Sequence, residues 1–279
     1  MRRVEHGPVK TVLCVVSEYG ASRLVQDFAL YRELDRIDVH VVVDWREQMK
    51  LLKLRFPLNL NQMKVTNEIP YGHLEHFANG EEEPGQSWLD LSGISRDNLA
   101  MYGLSLLNDA KQSWDVAIRD IGLTVLRSPI YAHHIPALPQ ADGHYSFIDQ
   151  GIQHFNYSLL PHPGLWEQAG TVHAAAEINQ PPVTLVATSH AGPLPQRDSF
   201  IKVVPDTVVV SVLKQAEVDD AIIVRAYETT RVACRALIRL PHIERVIDTE
   251  FGPSEIKTFR VPRDPAQPVV EVNMLEWQS

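Results

Sequence analysis

Histidine is the residue type whose number first suggests chemistry, because the chain contains 12 of them. Metal sites draw on His, Cys, Asp and Glu at short recurring spacings, and no HExxH, CxxC or HxxxH motif occurs. His133 and His134 are adjacent, and neighbouring side chains on an extended chain point to opposite faces. The pattern favours loop histidines that form hydrogen bonds or face solvent. The alternative is a metal-dependent hydrolase site built from the histidines of residues 129–190.

Carboxylates are the second candidate group. Glycoside hydrolysis uses two of them, about 5 Å apart for retention of configuration and further apart for inversion, a distance that sequence spacing does not reveal. Glu81, Glu82 and Glu83 are predicted to form a solvated loop face. Asp109 and Asp115 either shape a polar pocket or form turns, which is the commoner role of such residues.

Tryptophans and short nucleophile motifs are the remaining sequence features that could carry chemistry. Trp88, Trp114 and Trp166 could stack on sugar rings, although tryptophan in an all-β protein more often belongs to the core. No GxSxG, P-loop or GxGxxG motif is present, so acyl transfer and nucleotide chemistry have no support.

The charge balance and cysteine content of the chain limit the classes of partner that it can bind. The 279 residues include 26 Lys and Arg against 35 Asp and Glu, a net charge of −9. This balance argues against nucleic acid and fits neutral or cationic ligands. Cys14 and Cys234 lie in apolar runs, as buried free thiols do, and neither a signal peptide nor a membrane-spanning run is evident. We therefore expect a reduced, cytoplasmic protein with no membrane partner.

The elements that must position these residues are mainly strands. In residues 37–41 apolar and polar residues alternate, as a half-buried strand requires. The helix candidate is residues 166–178, WEQAGTVHAAAEI, so the predicted fold class is all-β with one short helix. Further strands are predicted at 9–16, 22–31, 52–56, 63–69, 102–107, 121–127, 152–160, 183–187, 200–204, 207–214, 220–227, 231–240, 256–261 and 268–275.

Composition changes between residues 129 and 205, which hold 10 of the 19 prolines and 7 of the 12 histidines. Such stretches are typical of long loops, which carry function more often than strands do. Regular strand patterns resume after Pro205. We predict two domains, residues 1–205 and 206–279.

Several stretches, in order along the chain, resemble the C-terminal β region of glycoside hydrolase family 38, the zinc-dependent α-mannosidases. EIPYGHLEH (68–76) is similar to the family's "EIPFGxxER" strand, and YGLSLLNDAKQSWDV (102–116) to its "GLxLLNDxKYGYD" strand pair. The other matching stretches are RIDVHVVVDWREQMKLLKLRFPLN (36–59), WLDLSG (88–93), LTVLRSP (123–129), HFNYSLLPHPGLWEQAGTVHAAAEINQP (154–181), LKQAEVDDAIIVRAYET (213–229), FGPSEIKTFRV (251–261) and VNMLEW (272–277).

The resemblance implies a large, galactose-mutarotase-like β supersandwich that lacks its first strands, followed by a small C-terminal β-sandwich. It also implies that the catalytic aspartate and the zinc ligands belong to N-terminal catalytic and helical domains outside this sequence. The chain would then hold no catalytic residue, metal ligand or cofactor of its own. It would supply scaffold and part of the active-site wall to an enzyme that hydrolyses terminal α-mannosides with retention.

Two departures from the family pattern mark the segments worth testing. KQSWD (111–115) replaces the usual KYGYD, and the loop over residues 130–150 is longer than the family's. Because loops of this region border the family's cleft, the resemblance implies Arg127, Tyr131 and Asp142 as substrate-adjacent candidates.

One further expectation applies to a region excised from a larger enzyme. The face that packs on the catalytic domain would be exposed and would drive self-association.

The alternative to an enzyme fragment is a stand-alone carbohydrate-binding β-sandwich module. Its distinguishing feature would be a concave sheet with exposed tryptophans beside hydrogen-bonding side chains.

Overall fold

A computed structural model describes residues 1–134, 136–193 and 195–277. Over these ranges the chain forms twenty strands, one α-helix and one short 3-10 turn, which confirms the all-β prediction with one short helix. Strands of the first half are β1 (Arg2–His6), β2 (Lys10–Tyr19), β3 (Ser22–Tyr31), β4 (Ile37–Trp45), β5 (Leu51–Pro57), β6 (Leu60–Ile69), β7 (Gly72–His76), β8 (Glu83–Pro84), β9 (Trp88–Ser95), β10 (Met101–Asn108), β11 (Ser113–Ala117) and β12 (Asp120–Arg127).

The second half begins with the longest strand, followed by the helix. These are β13 (Gly151–Pro163) and α1 (Thr171–Asn179). The remaining strands are β14 (Lys202–Val204), β15 (Val208–Gln215), β16 (Ile222–Glu228), β17 (Cys234–Leu240), β18 (Arg245–Phe251), β19 (Ile256–Val261) and β20 (Val270–Val272). Within the described ranges, no helix is long and apolar enough to cross a membrane.

The chain divides into two compact units, one of residues 1–69 and 74–182, the other of residues 70–73 and 183 onward. The predicted boundary near residue 206 stays a prediction. The first unit is the large sandwich. Its main sheet has the order β1-β2-β3-β4-β13-β10-β9-β6-β7, and its smaller sheet the order β5-β12-β11-β8.

Strand alternation explains how the large sandwich holds together. Every second residue of β4 points inward, so that Val39, Val41 and Val43 are at most 1% exposed. They pack in the core between the two sheets with Trp114 of β11 and Leu123 of β12. Asp38 and His40 alternate with these valines and therefore lie on the outer face of the main sheet.

The helix α1 covers one part of that outer face. Trp88 of β9 and Trp166 pack with ring centroids 4.8 Å apart, and both are buried. Leu107, Leu160 and Ala175 complete this small second core. The prediction that these tryptophans belong to the core is confirmed, and the same holds for Trp114.

The second unit is the small β-sandwich. Its two sheets have the orders β14-β17-β18 and β15-β16-β19-β20. Val224, Ile238 and Val261 are fully buried in its core, with Phe251 and Phe259 beside them. The predicted large sandwich followed by a small one is therefore confirmed.

Two local predictions are wrong, and several strands, β18 among them, have no counterpart in the predicted strand list. The residues 183–187 form no strand, and Val183, Leu185 and Val186 are almost fully exposed. The helix begins at Thr171 instead of residue 166, because Gly170 has φ 68 and a turn occupies residues 166–170. The strand β18 was not predicted, because its inward-facing Arg245 disguises the alternation and donates to the carbonyls of Asp264 and Gln267.

Candidate functional site

A groove of about 610 Å³ lies on the part of the outer face that α1 leaves open. Strands β1–β4 and β13 form its floor, and residues at the end of α1 and just after it line one side. This volume falls within the range of about 300–1,000 Å³ typical of small-molecule sites.

Strand register places one row of side chains next to one another on the outer face, and three of its five members line the groove. Arg2 pairs with Cys14, Cys14 with Asp27, Asp27 with His40, and His40 with Asn156. Directly paired residues of neighbouring strands point to the same face, so this row of five crosses five strands side by side. Four loops or longer connections separate its members in the sequence.

The next row along the strands mixes polar and small apolar residues. Glu5 pairs with Val12, Val12 with Ala29, Ala29 with Asp38, and Asp38 with Ser158. The small side chains in the middle of this row leave space above the sheet, and the polar ones stand at its sides. The two rows together give the groove polar walls around a partly apolar floor.

Arg36 holds the side of the groove next to the helix. Its guanidinium donates to Asp38 at 3.0 Å and to Glu177 of α1 at 2.7 Å. Ser158 also donates to Asp38, at 2.6 Å. Burial opposes the charge of Arg36, but these two carboxylates outweigh it and raise the pKa of its side chain. The arginine therefore stays charged and fixed in place.

The opposite side of the groove is formed by β1, β2 and β3. Lys10 pairs with Glu5 at 3.3 Å and lies 5.9 Å from the ring centre of Tyr31. Tyr31 also lines the groove and supplies a flat aromatic surface beside these charges.

Asp27 lies in the middle of the polar row and keeps one unused acceptor. Its Oδ1 atom is shielded from solvent and accepts no hydrogen bond from any residue that the structure describes. A buried polar atom left in this state costs about 1–3 kcal/mol. A hydrogen bond to Asp27, then burial, then the charge of Asp27 raise the pKa of the Cys14 thiol. Cys14 is thus a protonated, poorly nucleophilic thiol at neutral pH.

Asn156 connects the groove to a second, smaller cavity. Its Oδ1 accepts from His40 Nδ1 at 2.9 Å, and its Nδ2 donates to Asp109 at 2.6 Å. Asp109 lines a polar cavity of about 250 Å³ together with Glu68. Burial raises the pKa of Glu68, although hydrogen bonds from Ser87 oppose this shift. The polar-pocket interpretation of Asp109 is therefore confirmed, with Asp109 fixed at its wall.

Asp115 has neither of its predicted roles. It lies within β11 and accepts from Lys53 at 2.8 Å and from Arg55 at 2.8 Å. Burial raises its pKa, but these two cations outweigh burial and hold the pKa below its usual range. A Cβ atom at Gly122 would collide with this carboxylate, which explains a glycine within β12.

Glu82 is exposed on its loop, as predicted, and it also belongs to the same cluster. It accepts from Lys53, Ser113 and Thr124. These partners become neighbours only when β5, β11 and β12 pair, and no spacing in the sequence indicates that contact.

A second buried polar cluster lies under α1. Asp90 Oδ2 accepts from Ser105 at 2.8 Å and lies 2.7 Å from His162 Nε2. The Ser105 hydroxyl lies 2.7 Å from that of Thr171, the first residue of α1. All four residues are at most 6% exposed. The cluster fixes the start of the helix on the sheet.

Of the three predicted substrate-adjacent residues, Arg127 ends β12, and Tyr131 and Asp142 follow on the segment between β12 and β13. Arg127, Tyr131 and Asp142 are all exposed. Their side chains make no hydrogen bond or ion pair with the described part of the chain. Backbone contacts order the start of the segment, where the amide of Arg127 donates to Asp149 and that of Tyr131 to the carbonyl of Ser146. Their role at a substrate stays a prediction.

The histidines do not form a metal centre in the ranges described. No group of three or more His, Cys, Asp or Glu there is arranged to hold a metal ion. His133 Nε2 lies 2.8 Å from the carbonyl of Ala137, as expected of a loop histidine. Both cysteines are free, with Cys14 buried as predicted and Cys234 half-buried.

Comparison with curated proteins finds relatives that are much longer than this chain. Alpha-mannosidase 2C1 of Mus musculus is 32% identical over 205 residues, which are 70% of this chain and 18% of that protein. Alpha-mannosidase 2C1 of Homo sapiens is 31% identical over 81% of this chain and 21% of its own length. Alpha-mannosidase G of Dictyostelium discoideum is 25% identical, over 92% and 25%. The chain thus spans about a fifth to a quarter of the length of these relatives.

Solved structures share the fold. A glycosyl hydrolase family 38 protein from Enterococcus faecalis aligns over 94% of this chain and 36% of its own, with a TM-score of 0.74 and 14% identity. An alpha-mannosidase from Enterococcus faecalis V583 gives 0.73 with 13% identity. The model of the glycosyl hydrolases family 38 C-terminal domain matches residues 1–141, which is half of the chain. The chain therefore belongs to glycosyl hydrolase family 38, as a C-terminal region of its α-mannosidases.

Proposed function

We propose that this chain serves an α-mannosidase as a non-catalytic C-terminal β region, supplying scaffold and part of the wall of the active-site cleft. The observation that carries the proposal is the match to the family's C-terminal domain over residues 1–141. The length of the relatives agrees with it, because three quarters or more of each lies outside the matched region.

The whole enzyme would hydrolyse terminal α-mannosides with retention, through a nucleophilic and an acid–base carboxylate. Zinc would be held by residues of the catalytic domain. The partners of this chain would be that catalytic domain and the helical domain. The side chains of Arg127, Tyr131 and Asp142 are free to reach a substrate from the segment that carries them. Cytoplasmic location, inferred from the cysteines, stays a prediction.

Self-association of the isolated chain is part of the same proposal. Phe77 and Ile118 are 88% and 71% exposed and flank the bridge between Asn79 and Ala117. Exposed apolar groups of this kind favour contact with another surface. Light scattering coupled to size-exclusion chromatography checks this, and a monodisperse monomer at high concentration contradicts it.

The experiment that tests the proposal is hydrolysis of p-nitrophenyl α-mannoside by the purified chain, with and without added zinc or cobalt. We expect no turnover in either condition. Metal-dependent turnover that persists through repurification would place a carboxylate pair and a metal site in this chain and overturn the proposal. A matched control adds the same metals to heat-denatured chain, so that hydrolysis by free metal is subtracted.

A further inference from the structure

We propose that the groove on the outer face of the main sheet is a binding site for a neutral saccharide. The proposal rests on the cross-strand row that contains Asp27, His40 and Asn156, and on the unused hydrogen-bonding groups around it. It needs only the geometry of this chain and does not depend on the role proposed above.

The unused groups in the groove are of both kinds. Asp27 Oδ1 and His40 Nε2 accept no hydrogen bond from the residues described, and the second oxygen of Asp38 is likewise unused. Donors are also available, since Arg36 uses its Nε and Nη1 atoms and keeps Nη2, and the Tyr31 hydroxyl has no partner among these residues. A sugar hydroxyl both donates and accepts, so a polyhydroxylated ring can use both sets.

Charge argues against an anionic ligand. The described lining holds four carboxylates and two cations, and three of the four carboxylates are already in ion pairs. An anion meets a net negative surface and is repelled. A sugar hydroxyl that donates to Asp27 satisfies its unused oxygen without a counter-charge.

The remaining lining suits the apolar faces of a sugar ring. Val12, Ala29 and Ile178 line the groove with Pro181 and Pro182, and Tyr31 supplies the aromatic surface. Carbohydrate C–H groups pack against such surfaces while the hydroxyls reach the polar walls. The ion pairs of Arg36 with Asp38 and Glu177 hold the walls in place before binding, which lowers the entropic cost.

The test is a nuclear magnetic resonance titration of the ¹⁵N-labelled chain with methyl α-D-mannopyranoside, in metal-free buffer. We expect saturable shifts confined to β2, β3, β4, β13 and the residues after α1. Spermidine and inorganic phosphate serve as cationic and anionic probes of the same surface. Saturation by spermidine or phosphate with no response to the mannoside overturns the proposal, and so does a mannoside response outside these elements.

Matched variants then locate the site. Asp27→Asn keeps the shape of the side chain but removes its charge, and we expect the dissociation constant for the mannoside to rise about tenfold. Asp44→Asn is the control, since Asp44 lies on the same face of β4 outside the groove lining. Equal affinities of the two variants contradict the proposal.

A second variant covers the case in which Asp27→Asn fails to fold. His40→Ala removes an exposed acceptor, and we expect a weakening of roughly threefold to tenfold with an unchanged circular dichroism spectrum. An unchanged affinity in His40→Ala contradicts the proposal. Failure of this binding leaves the predicted inactivity on p-nitrophenyl α-mannoside untouched, because that assay measures turnover and this one measures occupancy.

Discussion

The outer face of the main sheet has two parts that differ in what covers them. One part packs against α1, and the other forms the groove. Under α1 the face carries Trp88, Leu107 and Leu160, and the Asp90 cluster pairs most of its polar atoms there, although the buried His162 Nδ1 neither accepts nor donates a hydrogen bond among the described residues. In the groove the same face carries Asp27, His40 and unused hydrogen-bonding atoms. Water is excluded from the first part, so every polar atom needs a protein partner or costs stability. In the open part an exposed acceptor such as His40 can bond to solvent or to a ligand, whereas Asp27 Oδ1 is shielded from solvent and has no partner among the described residues.

One face of the main sheet therefore provides a structural surface under α1 and a candidate binding surface in the groove. In the covered part the side chains pack against α1 and hold it in place, and the end of α1 forms one side of the groove. Substitutions should therefore cost stability in the covered part and binding in the open part. The predictions below test that division, beginning with the largest effect.

Removing the tryptophan that packs under the helix should cost most. Trp166→Ala deletes a side chain that is 2% exposed and stacks on Trp88, and we expect a loss of about 3–5 kcal/mol in the free energy of unfolding. Urea denaturation followed by circular dichroism measures it. The control His154→Ala removes an exposed ring from the open part, and we expect a change within about 0.5 kcal/mol. Equal losses of unfolding free energy in the two variants would contradict the proposed difference between the covered part and the open part.

The charge cluster of the smaller sheet extends the test to a polar surface that is fully paired. Asp115→Asn weakens the contacts with Lys53 and Arg55, and we expect a loss of about 1–3 kcal/mol at neutral pH. Because the folded-state pKa of Asp115 is lowered, its contribution is fully present above the unfolded value of about 3.9. That contribution disappears as the pH falls through the folded value.

Urea midpoints between pH 7 and pH 2 measure this dependence. We expect parent and Asp115→Asn to converge as the pH falls, since protonation removes the charge from the parent as well. A constant difference over this range would show that the cluster acts through packing instead of charge.

Paired serine substitutions compare the two parts most directly. Ser105→Ala removes a donor to Asp90 and the contact with Thr171, where water has no access, and we expect a loss of about 1–2 kcal/mol. Ser158→Ala removes a donor to Asp38, which keeps Arg36 and is 30% exposed. We expect less than about 1 kcal/mol there. A larger loss for Ser158→Ala in urea denaturation would reverse the comparison.

Thiol reactivity gives the smallest effect. The pKa of Cys14 is raised by Asp27, so we expect slow iodoacetamide labelling at neutral pH and faster labelling in Asp27→Asn. Burial also raises the pKa of Cys234, to which Asp27 makes no contribution, so this thiol serves as the internal reference. Mass spectrometry of the two cysteine peptides measures both rates. An unchanged ratio would show that access alone protects Cys14.

Sequence periodicity predicted the fold where one side of a strand is buried. The alternation of Asp38 and His40 with valines predicted β4 and the face on which its polar residues lie. It failed at β18, where the inward side chain is Arg245, and at residues 183–187, where apolar residues pack on no described core. Periodicity reports how residues are arranged on one strand and does not report what will cover them.

The sequence by itself determined the all-β class, the order of the two sandwiches and the family, since each depends on local alternation or on ordered motifs. Only the tertiary structure decided the groove and the charge clusters. Arg2, Cys14, Asp27, His40 and Asn156 become neighbours through the register of four strand pairs. Burial of the opposite face of the sheet fixes that register, because a slip of one residue would expose the core valines of β4.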